Sequence, residues 1–389
     1  MRQVSRLLAI LLMVSGVSGC GALSGIFASD DTGPRPAELV DFDKELRIKS
    51  VWSTSIGKGV GEKYIKLKPA VDDGKVFVAD VTGQVVAVNA DSGKRLWRVK
   101  LREPVSGGVG AGFGHLFLGT KDGKVIALSQ ADGSILWQTN VSSEILSVPK
   151  SNGSIVVVQT LDEKIYGLDQ ESGEQRWFYE SILPALTLRG TSSPILTANM
   201  ALVGLANGKV AALHADTGRT LWEHRISVPQ GRSELERMTD VDGDLLLQGD
   251  MVYTTSFHGK VSAIEIGTAR IRWQKEISSF LGPDEGFGNL YLVDTDDNLY
   301  ALDVNSGDSV WRQNDLTHRQ LTAPVTFGNY LVVGDFEGYL HFMSQVDGHF
   351  VGRKKIDGDG IRSTMVAQGD RLYVYGNSGK VMALKAVEK

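Results

Sequence analysis

The apolar positions of this chain fall in short alternating runs, and the runs recur. Eight hexads begin at positions 83, 123, 163, 208, 259, 297, 338 and 379: GQVVAV, GKVIAL, EKIYGL, GKVAAL, GKVSAI, DNLYAL, GYLHFM and GKVMAL. Most place an apolar residue at every second position from the third, and β-branched and aromatic residues are common, which predicts strands. Another run precedes each hexad by about eight residues, as in KVFVAD at 75, HLFLGT at 115, NLYLVD at 289 and RLYVYG at 371. A shorter segment before that often carries a proline, as at Pro69, Pro149, Pro194 and Pro324. Proline suits an edge strand, whose missing donor breaks no ladder.

A turn-and-strand motif follows each of the first seven hexads at a constant spacing. Its copies are DSGKRLW (ending at Trp97), ADGSILW (Trp137), ESGEQRW (Trp177), DTGRTLW (Trp222), GTARIRW (Trp273) and NSGDSVW (Trp311). A copy without tryptophan, DGHFVG, ends at Gly352. Asp or Asn satisfies backbone donors in such turns, and Gly accepts positive φ. Each repeat therefore reads as four strands, A to D, with A at an edge.

The count closes on itself. The hexad at 379 has no D strand after it, and Trp52 sits in a D-like strand, VWSTSIG, with no A, B or C before it. Joining the two makes eight complete sheets. The fold class expected is all-β: an eight-bladed β-propeller of four-stranded antiparallel blades, closed by the N-terminal strand. The tryptophans then pack between neighbouring blades.

The first residues carry a different pattern. Arg2 and Arg6 precede an apolar run, Leu7–Val14, too short to span a bilayer as a helix. Small residues and the lone Cys20 follow, which is the form of a secretory signal. The resulting organisation is a signal peptide at 1–19, a lipidated N-terminus and tether at 20–46, and the propeller at 47–389. Acyl chains on Cys20 would hold the protein to a membrane.

Composition adds exclusions. Apolar residues make up 42% and charged residues 22%, ordinary for a globular domain. The net charge of −5, or −7 once the two signal arginines are gone, argues against nucleic acid as a partner. The seven histidines show no zinc spacing. Asp294, Asp296, Asp297 and Asn298 outline a calcium loop only in part, because position 12 would be Asn305 and the central glycine is missing. No nucleophile elbow or P-loop is present. Catalytic, metal and cofactor sites are therefore expected to be absent.

The tryptophan motif resembles that of the pyrroloquinoline-quinone-type propellers. Their dehydrogenases hold the quinone beside a vicinal cysteine pair and a calcium ion, and this chain has neither set of residues. Lipobox, tether and eight blades together more closely resemble the BamB family, the lipoprotein subunits of the β-barrel assembly machinery. The segments LPALTLRGTSSP (183–194), SELERMTDVDGD (233–244), LTAPV at 321 and VVGDFEGYLHF at 332 carry that resemblance. Gly21 after the cysteine, in place of aspartate, points by resemblance to the periplasmic face of an outer membrane. The resemblance implies a non-enzymatic scaffold that docks on the POTRA domains of BamA. Leu186, Leu188 and Arg189 would make the contact, with Asp240 and Asp242 beside them. Unfolded outer-membrane proteins are a further candidate partner. A periplasmic quinoprotein-like dehydrogenase and a propeller binding another envelope component stand as alternatives.

Loop lengths point to the same segments without the resemblance. From Trp177 to the next hexad is 31 residues and from Trp222 it is 37, the two longest insertions between intact blades. Both fall between a D and an A strand, so they crowd one rim of one face, where binding residues tend to lie. The alternation of Leu186 and Leu188 is also what the inner face of an A strand would produce.

Overall fold

Strands form where the hexads and their neighbours predict them. The computed structural model describes residues 33–61, 65, 67–229 and 232–389. The signal, Cys20 and the first part of the tether lie outside these. Within Pro36–Lys389 the described residues make eight four-stranded antiparallel sheets, the eight-bladed propeller. In blade 1 the strands are Ala70–Asp72, Lys75–Ala79, Gln84–Asn89 and Arg95–Lys100, ordered A-B-C-D from the axis outward. Blades 2 to 7 repeat that order. Strands B and C are buried on both faces, which is why the hexads are almost continuously apolar. The prolines stand one residue before strand A, at Pro69, Pro149, Pro194 and Pro324, outside the ladder.

Blade 8 joins the two ends of the sequence. Its A, B and C strands are Val366–Gln368, Arg371–Tyr375 and Lys380–Glu388, and its D strand is Leu46–Ser55. Leu46 pairs with Glu388 and Ser55 with Lys380.

Each tryptophan sits opposite a small residue of strand C: Trp97 faces Ala87, Trp177 faces Gly167, and Trp52 faces Ala383. Its indole N–H donates to a carbonyl in the C–D turn of the next blade, as Trp137 does to Gln170 (2.7 Å) and Trp52 to Ala90 (2.7 Å). In every such turn but that of blade 5, where Ala269 takes the position, the ring lies over the turn's glycine. A Cβ on Gly173 would come within 2.5 Å of Trp137, so the turn needs glycine for space as well as for its φ of +72°.

Blade 7 breaks this pattern for a topological reason. A tryptophan at 352 would need the C–D turn of blade 8, but that blade's C and D strands belong to opposite ends of the sequence and share no turn. Gly352 stands there instead, opposite the buried Phe342, so the large and small residues have exchanged strands. Leu46 and Ile48 fill the space in front of Gly352.

The segment before Leu46 runs along blade 7. Phe42 stacks on Phe350 with centroids 5.5 Å apart, and Arg353 lies over both rings. Arg353 donates to the Val40 carbonyl (2.9 Å) and Arg319 to the Ala37 carbonyl (2.8 Å). Arg319 is buried with Asp335, and Asp335 also accepts from His341 Nε2 at 3.0 Å. The last ten residues of the stretch read as tether are thus held against the propeller.

Candidate partner-binding face

The two long D–A connections occupy residues 181–194 and 226–245, between blades 3 and 4 and between blades 4 and 5. Residues 183–193 form no strand, and strand A of blade 4 is Ile195–Leu196. The leucine alternation therefore does not come from a sheet. The second loop carries a turn stapled by Ser233 and Glu236: the Glu236 N–H donates to the Ser233 hydroxyl, and the Glu236 carboxylate accepts from the N–H of Arg232 and Ser233. This is the reciprocal pairing of a capping box.

The loops interlock through three aspartates at alternate positions. Asp240 accepts the backbone N–H of Leu188. Asp242 faces Gly190, where an added Cβ would lie 2.7 Å from Oδ2. Asp244 accepts the N–H of Ser193 at 2.8 Å. Alternation along an extended segment sends all three to one side, while Val241 between them enters the apolar core of blades 4 and 5.

Asp240 and Asp242 are buried. They brace the first loop from beneath and do not present their carboxylates to a partner. Burial pushes the Asp240 carboxyl up to about 7, the nearby charges of Asp242 and Glu163 add to it, and the Leu188 N–H opposes. Burial likewise pushes Glu163 up to about 7 against the N–H of Ala206, with Asp242 adding.

The outer surface of the loops carries a group of exposed apolar side chains among charged ones. Leu186 is 47% exposed, Leu188 is half-buried, and Arg189 is exposed with its guanidinium on Glu144 of the preceding D–A loop (2.7 and 2.8 Å). Ile182, Leu183, Val228 and Leu235 are exposed on the same two loops. Sequence reasoning reached Leu186, Leu188 and Arg189 and missed these four, together with Glu144 and Glu163. The missed leucine and isoleucine had a signal, since Ile182-Leu183 lies past the end of a D strand. Glu144 and Glu163 had none, because each comes from a different blade.

No group of three or more His, Cys, Asp or Glu residues among the described residues is placed to hold a metal ion. The acidic run at 294–298 is a B–C turn. Asp294 accepts from the N–H groups of Asp296 and Asn298, and Asp297 from those of Gln320 and Leu321.

The model of the family described as outer membrane protein assembly factor BamB matches residues 49–107 and 82–313. A Pseudomonas aeruginosa protein of that name is 51% identical over 375 residues, covering 96% of this chain and 97% of its own. The chain belongs to the BamB family. The crystal structure of BamB from Moraxella catarrhalis superposes with a TM-score of 0.80 at 27% identity, covering 87% of this chain and all of that one. Quinohemoprotein alcohol dehydrogenase from Comamonas testosteroni has a TM-score of 0.69 at 15% identity, over 87% of this chain and 76% of its own. That likeness is one of fold alone. BamB relatives carry the name of an assembly factor over nearly the whole length of this chain, so the dehydrogenase alternative has no support beyond the shared propeller.

Proposed function

We propose that this chain is a non-enzymatic scaffold of the outer-membrane β-barrel assembly machinery. It is held at the periplasmic face of the outer membrane by acyl chains on Cys20 and docks on the POTRA domains of BamA. The observation that carries the docking face is the concentration of exposed apolar side chains on two neighbouring D–A loops, with Arg189 among them. Apolar anchors beside an arginine are the composition of an interface core. Leu186, Leu188 and Arg189 touch the partner, while Asp240 and Asp242 fix the loop that presents them. Membership of a family of assembly factors supports the same reading. By holding the POTRA domains, the propeller assists the assembly and insertion of barrel proteins. Alignment of POTRA edge strands for β-augmentation by an unfolded substrate is one route.

The test is capture of BamA from solubilised envelopes by the tagged chain, with melting measured for each variant. Arg189→Glu and the double change Leu186→Ala with Leu188→Ala are expected to lose BamA with little change in melting. Normal capture by Arg189→Glu removes the proposed face.

A further inference from the structure

The segment 36–45, a strap along blade 7, is held there through one buried histidine. His341 lies in strand C of that blade, Tyr339–Ser344, and is fully buried. Both of its ring nitrogens are engaged. Nε2 meets Asp335 Oδ2 at 3.0 Å, and Nδ1 meets Arg353 Nε at 3.1 Å. The Nε of an arginine can only donate. Nδ1 therefore accepts, the single proton of the ring sits on Nε2, and that N–H donates to Asp335. The arrangement has no place for a second proton, because an N–H at Nδ1 would point at the N–H of Arg353.

Arg353 passes this state on to the strap. Its Nη1 donates to the Val40 carbonyl, and its guanidinium lies over the rings of Phe42 and Phe350. Its Nη2 is buried with no hydrogen-bond partner among the described residues. His341 and Val40 are thus the two acceptors that hold this guanidinium in place.

The charged groups around His341 come from every element packed on it. Asp335 and Glu337 lie in the B–C turn, and Arg319, from the preceding D–A loop, pairs with both. The second oxygen of Asp335 accepts the N–H groups of Glu337 and Tyr339. Tyr339 is on the same strand as His341, with Lys355 over its ring. Arg353 lies on strand D, and Asp41 of the strap acts on it. A proton on His341 would set a third cation beside Arg319 and Arg353. Burial opposes that proton most and the two guanidiniums add to it, while Asp335 favours it, and the imidazole is held below its ordinary value.

We propose that blade 7 carries a proton-operated latch, in which protonation of His341 expels Arg353 and frees residues 36–45 from the propeller. The latch is closed above about pH 6.5, where an imidazole in water is neutral. Below that value the opened state, with His341 in water, takes the proton that the closed state excludes, so the closed state loses stability as pH falls. Release frees ten residues, about 30 Å of extended chain, and lets the propeller stand farther from the anchor proposed at Cys20.

Amide hydrogen exchange of the purified full chain in a non-ionic detergent, at about pH 7.5 and about pH 5.5, tests the latch, with rates corrected for the intrinsic pH dependence of exchange. Peptides over 36–45 report on it, because the Ala37 N–H donates to the Thr317 carbonyl and the Glu45 N–H to the Val351 carbonyl. Strand B of blade 2, His115–Thr120, is the reference. With an open-state value of about 6.5 and a closed state that stays neutral, protection of 36–45 is expected to fall about tenfold between the two conditions while the reference keeps its own. His341→Gln keeps a donor for Asp335 and does not titrate, and its strap is expected to be equally protected at both pH values. Equal protection in the unaltered chain overturns the proposal, as does a fall shared by the reference strand or one that persists in His341→Gln. The unaltered chain decides alone where the variant does not fold.

Discussion

The backbone N–H of Leu188 donates to one oxygen of Asp240, and the other oxygen of that buried carboxylate has no hydrogen-bond partner among the described residues. The residue proposed to touch a partner is thus positioned by a group that never reaches the surface, and the bracing group titrates.

That titration gives the first prediction. Asp240 has a folded-state pKa of about 7, above an unfolded value of about 3.9. Between those values the folded state holds more protons, so this group's contribution to stability falls as pH rises from about 4 to 7. Asp240→Asn removes the titration while keeping an acceptor for Leu188. The variant is expected to match the parent at pH 4 and to be more stable by about 1–3 kcal/mol at pH 8, the order of one unsatisfied buried polar group. Denaturant melts across that range check it, and a difference independent of pH rules it out.

The pair Arg189–Glu144 separates local from partner effects. Arg189 is half exposed, so its pair contributes under about 1 kcal/mol to folding. Glu144→Gln is expected to leave BamA capture intact, because Arg189 stays cationic. Arg189→Glu is expected to lose it by about 2–5 kcal/mol of binding, mostly through faster dissociation. Exchanging the two residues restores the local pair but not the capture, as surface plasmon resonance with purified BamA would show.

Turn residues under the tryptophans differ in one blade. The position that is Gly173 beneath Trp137 is Ala269 in blade 5, at a φ of +56°. Ala269→Gly is expected to stabilise the protein by about 0.5–1 kcal/mol through relief of that backbone. Gly173→Ala is expected to cost more than this, because its Cβ would fall 2.5 Å from the Trp137 ring. Thermal melts of the two variants in opposite directions confirm the reading.

Phe42→Ala tests the strap along blade 7. It removes the stack on Phe350 and one face of the Arg353 contact. Stability is expected to fall by about 1–3 kcal/mol, as for loss of a partly buried aromatic. Proteolysis is expected to begin between Pro36 and Glu45, and mass spectrometry of the first fragments locates the cut.

Much of this architecture was legible because it repeats. Strand positions, the blade count and closure by Trp52 followed from periodicity. The exchange in blade 7 was also written in the sequence: the hexad GYLHFM has Phe342 where the others have Ala or Gly, and DGHFVG has Gly352 where the others have Trp. Reading the two departures as one requires the cross-strand register, which a single strand does not reveal. The strap at 36–45 could not be read, since its contacts with Arg319 and Arg353 join segments about three hundred positions apart and no period links them. Of the site, the loops and Arg189 were legible from length and motif. Asp240 and Asp242 were legible only as neighbours of the contact residues, because charge in a loop is normally solvated and their burial has no sequence signal. Only the fold shows that this loop dips inward at Val241.

The pairing of Leu46–Ser55 with Lys380–Glu388 sets an order of events. The first strand of the propeller to be synthesised waits for the last. Until then Trp52 has the blade 1 turn at Ala90 as its dock but lacks the strand that forms its sheet. Seven blades can form in sequence as local meanders, each from contiguous chain, while the seam stays open. A chain threaded through a membrane pore from its N-terminus is therefore kept from completing its ring during passage. The step that locks the circle is left for after the last strand has emerged, and it carries the largest loop-closure entropy in the molecule.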